Sequence, residues 1–138
     1  MSIAKGTYFC QCCKVEFKAL TGSVKKFCSI KCQHEAKKQN NYSQWMSGEK
    51  EKFDPRALRG LIEMRDGWCC SACGLSSWLD KPIPLEVEHK DGNSQNNRSE
   101  NLCFLCPNCH AQTDTYKGKN RGNGRHARRE RYRAGQSY

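Results

Sequence analysis

Apolar material is what this chain has least of. Only 36% of its 138 residues are hydrophobic and 9% aromatic, so a single large core is out of reach. No run approaches the ~20 consecutive apolar residues of a membrane span, which sets aside a helical membrane protein. The start, Met1-Ser-Ile-Ala-Lys-Gly, has no apolar stretch of a secretory signal. The expectation is a protein with no membrane partner, intracellular and in a reducing compartment. Acidic residues are also in short supply, 14 against 24 Lys and Arg, for a formal charge of +10. An excess of that size favours a polyanionic partner.

Cysteine, by contrast, is plentiful, with 11 residues. Small chains with little core need metals or cross-links, and an odd count argues against a fully paired disulfide framework. The cysteines fall into two groups. Cys10-Gln-Cys12-Cys13 is followed by Cys28-Ser-Ile-Lys-Cys32, and Cys70-Ser-Ala-Cys73 by Cys106-Pro-Asn-Cys109. A C-x2-C turn aims two sulfurs at one point and frees backbone N–H groups to steady them; a second pair completes a tetrahedron. Two structural Zn2+ ions are therefore expected. Each four-thiolate site carries a net charge of −2, which takes the chain from +10 to +6 and leaves the basic excess in place.

Charge and punctuation suggest the organisation. Met1 to Lys38 has 8 basic and 2 acidic residues, Gln39 to Tyr116 has 8 and 11, and Lys117 to Tyr138 has 8 and 1. The expected parts are an N-terminal finger at 1–38, a polar linker or fraying helix end at 39–53, a second metal-stapled unit at 54–120, and a basic tail at 121–138. Trp45 and Met46 within the linker are read as packing residues. Asp54-Pro55 reads as an N-cap with proline at the first helical position, and Leu58, Leu61, Ile62 and Arg65 keep helical spacing up to Gly67. Residues 85–89 and 101–105 read as short strands around a turn-rich loop, and His110 to Lys117 as a helix ending at Gly118. The tail, with its run Arg125-His-Ala-Arg-Arg-Glu-Arg-Tyr-Arg133, cannot bury a core and suits a phosphate-contacting arm that gains helix on binding.

Between the halves of the second cysteine group lie Glu88-His89, a polar loop, Asn101-Leu, and then Cys109-His110. The run VEHKDGNSQNNRSENLCFLCPNCHAQTDTYKGKN resembles the HNH endonucleases, particularly small phage-encoded and homing enzymes in which a CHAQT-like helix start and a GKN-like ending recur. The resemblance covers roughly Asp54 to Asn120. It implies a small, metal-stapled α+β fold: a ββα-metal, treble-clef-like catalytic module behind an N-terminal zinc finger. It also implies a phosphodiester hydrolase acting on double-stranded DNA, with the catalytic residues His89, Asn101 and His110. Cys70, Cys73, Cys106 and Cys109 stand where that family holds its structural zinc.

Phosphodiester hydrolysis needs an activated water, a counter-charge for the phosphate and help for the leaving oxygen. By the resemblance, His89 is the general base, since an imidazole can accept a proton at neutral pH. Glu88 and His110 hold one catalytic divalent cation, Mg2+ or Mn2+, with Glu86 a weaker candidate ligand. Many family members place aspartate where Glu88 stands. Asn101 is expected to bridge backbone groups across the loop and so orient His89.

FCQCCKVEF followed by KKFCSIKC resembles treble-clef-like zinc fingers in which the last cysteine opens a helix. That register makes Cys10, Cys13, Cys28 and Cys32 the ligands, with Cys12 an alternative partner whose one-residue gap to Cys10 is too tight for the usual knuckle. Cys12, Cys69 and Cys103 are left as free thiols. In the tail, Arg121, Arg125, Arg128, Arg129, Arg131 and Arg133 are the expected DNA contacts, in a monomer or weak homodimer. Two other readings stay open: a non-catalytic zinc-finger regulator that binds nucleic acid, and a small adaptor at a phage packaging or replication machine.

Overall fold

The computed structural model describes residues 6–19, 25–120 and 126–135 of a small chain of mixed helix and strand. It divides into two compact units, Met1–Gln44 and Trp45–Tyr138.

In the first unit, β1 (Thr7–Phe9) pairs antiparallel with β2 (Glu16–Lys18), matching Tyr8 to Phe17. The turn between them is the Cys10–Cys13 knuckle. Cys10 N–H donates to the Val15 carbonyl and Lys14 N–H to the Cys10 carbonyl, each at 2.9 Å, and Lys14 has a positive φ of 61°. A helix, α1 (Ile30–Met46), begins between the last two cysteines of the group, so Cys32 lies in its first turn. Ser29 Oγ accepts from the Cys32 N–H at 3.2 Å, which occupies one of the donors that a helix start leaves unpaired. The segment 39–53, expected as a linker or fraying helix end, is helical over its first part, since α1 runs on to Met46. Asn and Gln there carry no helix-breaking glycine or proline, and polarity by itself does not end a helix.

The second unit is built around a short helix and a hairpin. Asp54 caps α2 (Pro55–Asp66), its carboxylate accepting from the Arg56 and Ala57 N–H groups at 3.0 Å, and Gly67 ends the helix at φ 76°. Leu58, Leu61 and Ile62, at i, i+3 and i+4, are its buried face. They share the core with Ile83, Leu85, Leu102, Phe104 and Leu105, all buried, and Trp68 packs on Phe104 with ring centroids 5.3 Å apart. A two-residue hairpin that the sequence did not suggest, β3 (Ser77–Trp78) with β4 (Lys81–Pro82), turns through Leu79 and Asp80 at positive φ.

Next, β5 (Glu86–His89) pairs antiparallel with β6 (Leu102–Leu105), matching Glu88 to Cys103 and His89 to Leu102. All four residues of β6 are buried, which explains why it reads as a continuous apolar run. The last cysteine pair opens α3 (Pro107–Ala111). The helix expected over His110 to Lys117 thus begins three residues earlier, because Cys106 is its N-cap and Pro107 its first residue. It also ends earlier, at Ala111, where the Thr113 hydroxyl donates to the His110 carbonyl at 2.9 Å. Beyond it, α4 (His126–Arg133) covers most of the arginine run. Among the described residues no helix is long and apolar enough to cross a membrane.

Candidate active site and metal centres

Two groups of four sulfurs each come together within 4.8 Å: Cys10, Cys13, Cys28 and Cys32, and Cys70, Cys73, Cys106 and Cys109. Burial would raise the Cys10 thiol, yet the N–H groups of Cys13, Cys28 and Cys12 outweigh it and bring the pKa to about 6. Cys70 behaves alike: burial raises it, and the N–H groups of Cys106, Cys73 and Ala72 pull it down to about 6. In each group another sulfur resists. Cys28 is pushed up to about 12 by the Cys32 and Cys13 thiols, and Cys109 to about 12 by those of Cys106 and Cys73. Four sulfurs in so small a space cannot all ionise against one another, and a divalent cation removes that conflict. Both tetrads could hold zinc. Cys12 lies against Cys32, which helps burial to raise it, but it is not one of the four converging sulfurs. Cys103 is buried, and Cys69 points its sulfur at the Asp66 carbonyl.

A second kind of cluster sits beside the Cys70 tetrad. Side chains alternate along a strand, so Glu86 and Glu88 share one face of β5. The face meets α3, whose last turn carries His110. One imidazole is gripped from both sides: Nδ1 by the Glu86 carboxylate, and Nε2 by Glu88 Oε2 at 3.0 Å. Tyr116 closes a further side, edge-on, with centroids 5.1 Å apart. Glu88 is 7% exposed, and the Thr115 hydroxyl donates to its other oxygen, Oε1. Thr115 in turn lies 3.2 Å from the Thr113 hydroxyl. A buried carboxylate is thus held by a hydroxyl on one oxygen and presents the other to an imidazole.

His89 is the last residue of β5. Its Nε2 lies 3.0 Å from Asn97 Oδ1. An amide oxygen only accepts, so this hydrogen bond forms when Nε2 carries a proton. Among the described residues no hydrogen bond joins His89 to Glu88 or His110. The Asn97 carbonyl accepts from the Trp45 indole at 2.7 Å, and Trp45 is buried as expected while Met46 is exposed.

Asn101 spans the loop that follows His89. Its Nδ2 donates to Asp91 Oδ1 at 2.9 Å and to the Asn96 carbonyl at 2.8 Å, and its Oδ1 accepts from the Asp91 N–H at 3.0 Å. Burial would raise the Asp91 carboxyl, but hydrogen bonds from Asn96, the Asn93 N–H and Asn101 hold it below its ordinary range. At the far end of the loop, Asn120 Nδ2 donates to the Gly92 carbonyl at 2.8 Å. Gly92 has φ 72°, and a Cβ there would lie 2.5 Å from Asn120 Oδ1, so a side chain at this position would strain the backbone and displace Asn120.

Sequence reasoning ranked Glu86 below its part in the cluster and did not single out Asn97, Asp91, Thr115 or Asn120. Two of these had a legible signal: Glu86 is two residues from Glu88 on one strand face, and Asn120 closes the GKN run. In the tail, Arg129 and Arg133 are exposed on α4 and Arg128 and Arg131 belong to the same helix, whereas Arg121 and Arg125 lie outside the described residues.

The histidine, asparagine and histidine that carry the resemblance to HNH endonucleases thus lie, in that order, on a hairpin and helix beside the second cysteine tetrad. Comparison with known proteins supports this resemblance. The H-N-H endonuclease F-TflIV of Escherichia phage T5 is 70% identical over 53 residues, 38% of this chain. The match covers 23% of that protein's own length. No family model matches the sequence, and no solved structure matches it.

Proposed function

We propose that the chain is a metal-dependent HNH endonuclease that hydrolyses phosphodiester bonds of double-stranded DNA, with residues 54–120 as a ββα-metal catalytic module. The observation that carries this reading is the pairing of buried Glu88 with His110 at 3.0 Å beside a cysteine tetrad. Neighbouring ligands about an octahedral ion with bonds of ~2.1 Å lie ~3 Å apart, the spacing of these two donors. Their types, one carboxylate oxygen and one imidazole nitrogen, fit Mg2+ or Mn2+. The chemistry supplied by a divalent cation at such a site is charge neutralisation at the scissile phosphate and the leaving oxygen.

The chain's own residues do the rest. Glu86 accepts from His110 Nδ1–H and so keeps Nε2 free to ligate, an arrangement common to metal-binding histidines. Thr115 occupies Oε1 of Glu88 and leaves Oε2 for the same task. His89 acts as general base: with its proton on Nε2, held by Asn97, the lone pair of Nδ1 takes the proton of the attacking water. Asn101 keeps the backbone after His89 in register through Asp91. Because Cys109 precedes His110, zinc in the second tetrad fixes where the ligating side chain begins. The two zinc ions remain structural. Residues 1–38 form a zinc finger, and the tail contributes arginine contacts to DNA phosphates.

A plasmid-relaxation assay tests this. Wild type with Mg2+ or Mn2+ is expected to yield nicked circles, whereas His89→Ala or added chelator yields none. Intact supercoiled DNA from well-folded wild type under every metal would overturn the hydrolytic reading in favour of a zinc-finger binder.

A further inference from the structure

The finger unit has a surface that zinc binding leaves unused. Beside the first tetrad opens a cleft of about 610 Å³. Phe17 and Phe27, both half-buried, and exposed Ile30 give it an apolar lining, and the exposed Lys18, Lys25 and Lys26 line it as well. No carboxylate is among the lining residues, and the intervening segment 20–24, Leu-Thr-Gly-Ser-Val, supplies none either. Among the described residues, none of these three ammonium groups has an ion-pair or hydrogen-bond partner, whereas Lys14 donates to the Gln11 carbonyl.

The charge balance holds after the metal is counted. Residues 1–44 have eight lysines and two glutamates, net +6, and a zinc tetrathiolate lowers this to +4. All eight cations are lysines; arginine is absent from this unit. Lysine is a flexible point charge, suited to phosphate contact, and lacks the planar fork with which arginine reads guanine. Apolar side chains in the same cleft offer contact to deoxyribose faces while the ammonium groups meet the phosphates.

We propose that this cleft is a docking site for the sugar–phosphate backbone of duplex DNA, which lets the finger hold the substrate without reading its sequence. The proposal rests on the reading of DNA as the chain's partner and adds the surface of the finger that engages it.

The test uses the full chain in a His89→Ala background, so that the DNA stays intact. Binding to a labelled duplex is followed by fluorescence anisotropy across a range of KCl concentrations. Each neutralised phosphate adds ~0.9 to the slope of log affinity against log salt, so Lys18→Ala/Lys25→Ala/Lys26→Ala should lower that slope by about 2 to 3. The control Lys31→Ala/Lys37→Ala/Lys38→Ala removes equal charge from exposed positions outside the cleft and should lower it by about 1 or less, the equivalent of at most a single phosphate. Zinc content and circular dichroism establish that each variant is folded; if the alanine triple loses zinc, the Lys→Gln triple replaces it. An unchanged slope in the cleft variant, or an equal loss in the control, would overturn the proposal. The two readings separate cleanly. Wild type that binds but never nicks sinks the hydrolytic reading alone, and a cleft variant that binds normally while the His89-intact protein nicks sinks this one alone.

Discussion

Replacing Asn101 by alanine removes three hydrogen bonds at a position only 8% exposed: two donated by Nδ2, to the Asp91 carboxylate and the Asn96 carbonyl, and one accepted by Oδ1 from the Asp91 N–H. A neutral bond contributes ~1 kcal/mol net and one to a charged group ~1.5–3 kcal/mol, while a buried group left unpaired costs ~1–3 kcal/mol. Shared partners make these non-additive, so a loss of about 2–4 kcal/mol is expected. Asn101→Asp separates the network from simple volume loss. It keeps the shape but sets a second carboxylate against Asp91, so at pH 7 it should cost more than the alanine change. A carboxylate facing another has its folded pKa raised, and its penalty is therefore complete above that raised value, relieved as pH falls through it, and gone below the unfolded value of ~3.9. Asp91 in the wild type runs the other way: its lowered carboxyl stabilises the fold above ~3.9, and that support is lost as pH falls through the depressed value. Urea denaturation at fixed zinc, between pH 7 and pH 4, reads the two variants' losses and the relief of the Asn101→Asp penalty, while the Asp91 contribution falls only below that window. Losses under about 0.5 kcal/mol for both variants at pH 7, within the range of ordinary surface changes, would refute the reasoning.

Glu86→Gln should weaken cation dependence by roughly 10–100-fold, seen as a higher Mn2+ concentration for half-maximal nicking, with kcat at saturating Mn2+ little changed. Asn97→Ala should lower kcat by about tenfold or more through loss of the fixed tautomer; Asn97→Asp should restore an acceptor and shift the acidic limb of the pH–rate profile to higher pH, because a carboxylate beside His89 favours its protonated form. Cys106→Ser is expected to lower zinc content from two ions to one and to reduce both folded fraction and cleavage; a fully folded, fully active serine variant would break the link between the tetrad and His110. Trp45→Ala empties a buried site and strips the Asn97 carbonyl of its donor, which should cost about 3–5 kcal/mol by thermal or urea unfolding.

Much of the second unit is local, and local features are legible. Asp54-Pro55 ahead of an apolar stripe and Gly67 behind it specify α2, because a cap, a fixed φ and a left-handed stop act within a few residues. The strands around the loop could be read from alternation in Glu86–His89 and from the apolar run of β6. The start of α3 is less legible: residues 110–117 suit a helix by composition, yet it begins three residues earlier because Cys106 belongs both to the metal-binding turn and to the helix cap. The hairpin through Leu79 and Asp80 was hard to see because Leu79 does not favour positive φ, strands of two residues carry no alternation, and Asp80 alone is a weak turn signal.

Residue types and spacings alone determined the two cysteine groups, the order of histidine, asparagine and histidine, and the basic ends, since each is a matter of composition or of a few bonds along the chain. Only the tertiary structure decided that Glu86 and Glu88 grip opposite nitrogens of one imidazole, that Thr115 bonds Glu88, and that Asn97 Oδ1 stands beside His89 Nε2. Those partners are separated by 24, 22, 27 and 8 residues, and a hydrogen bond depends on where two side chains end in space, which no stretch of sequence specifies by itself.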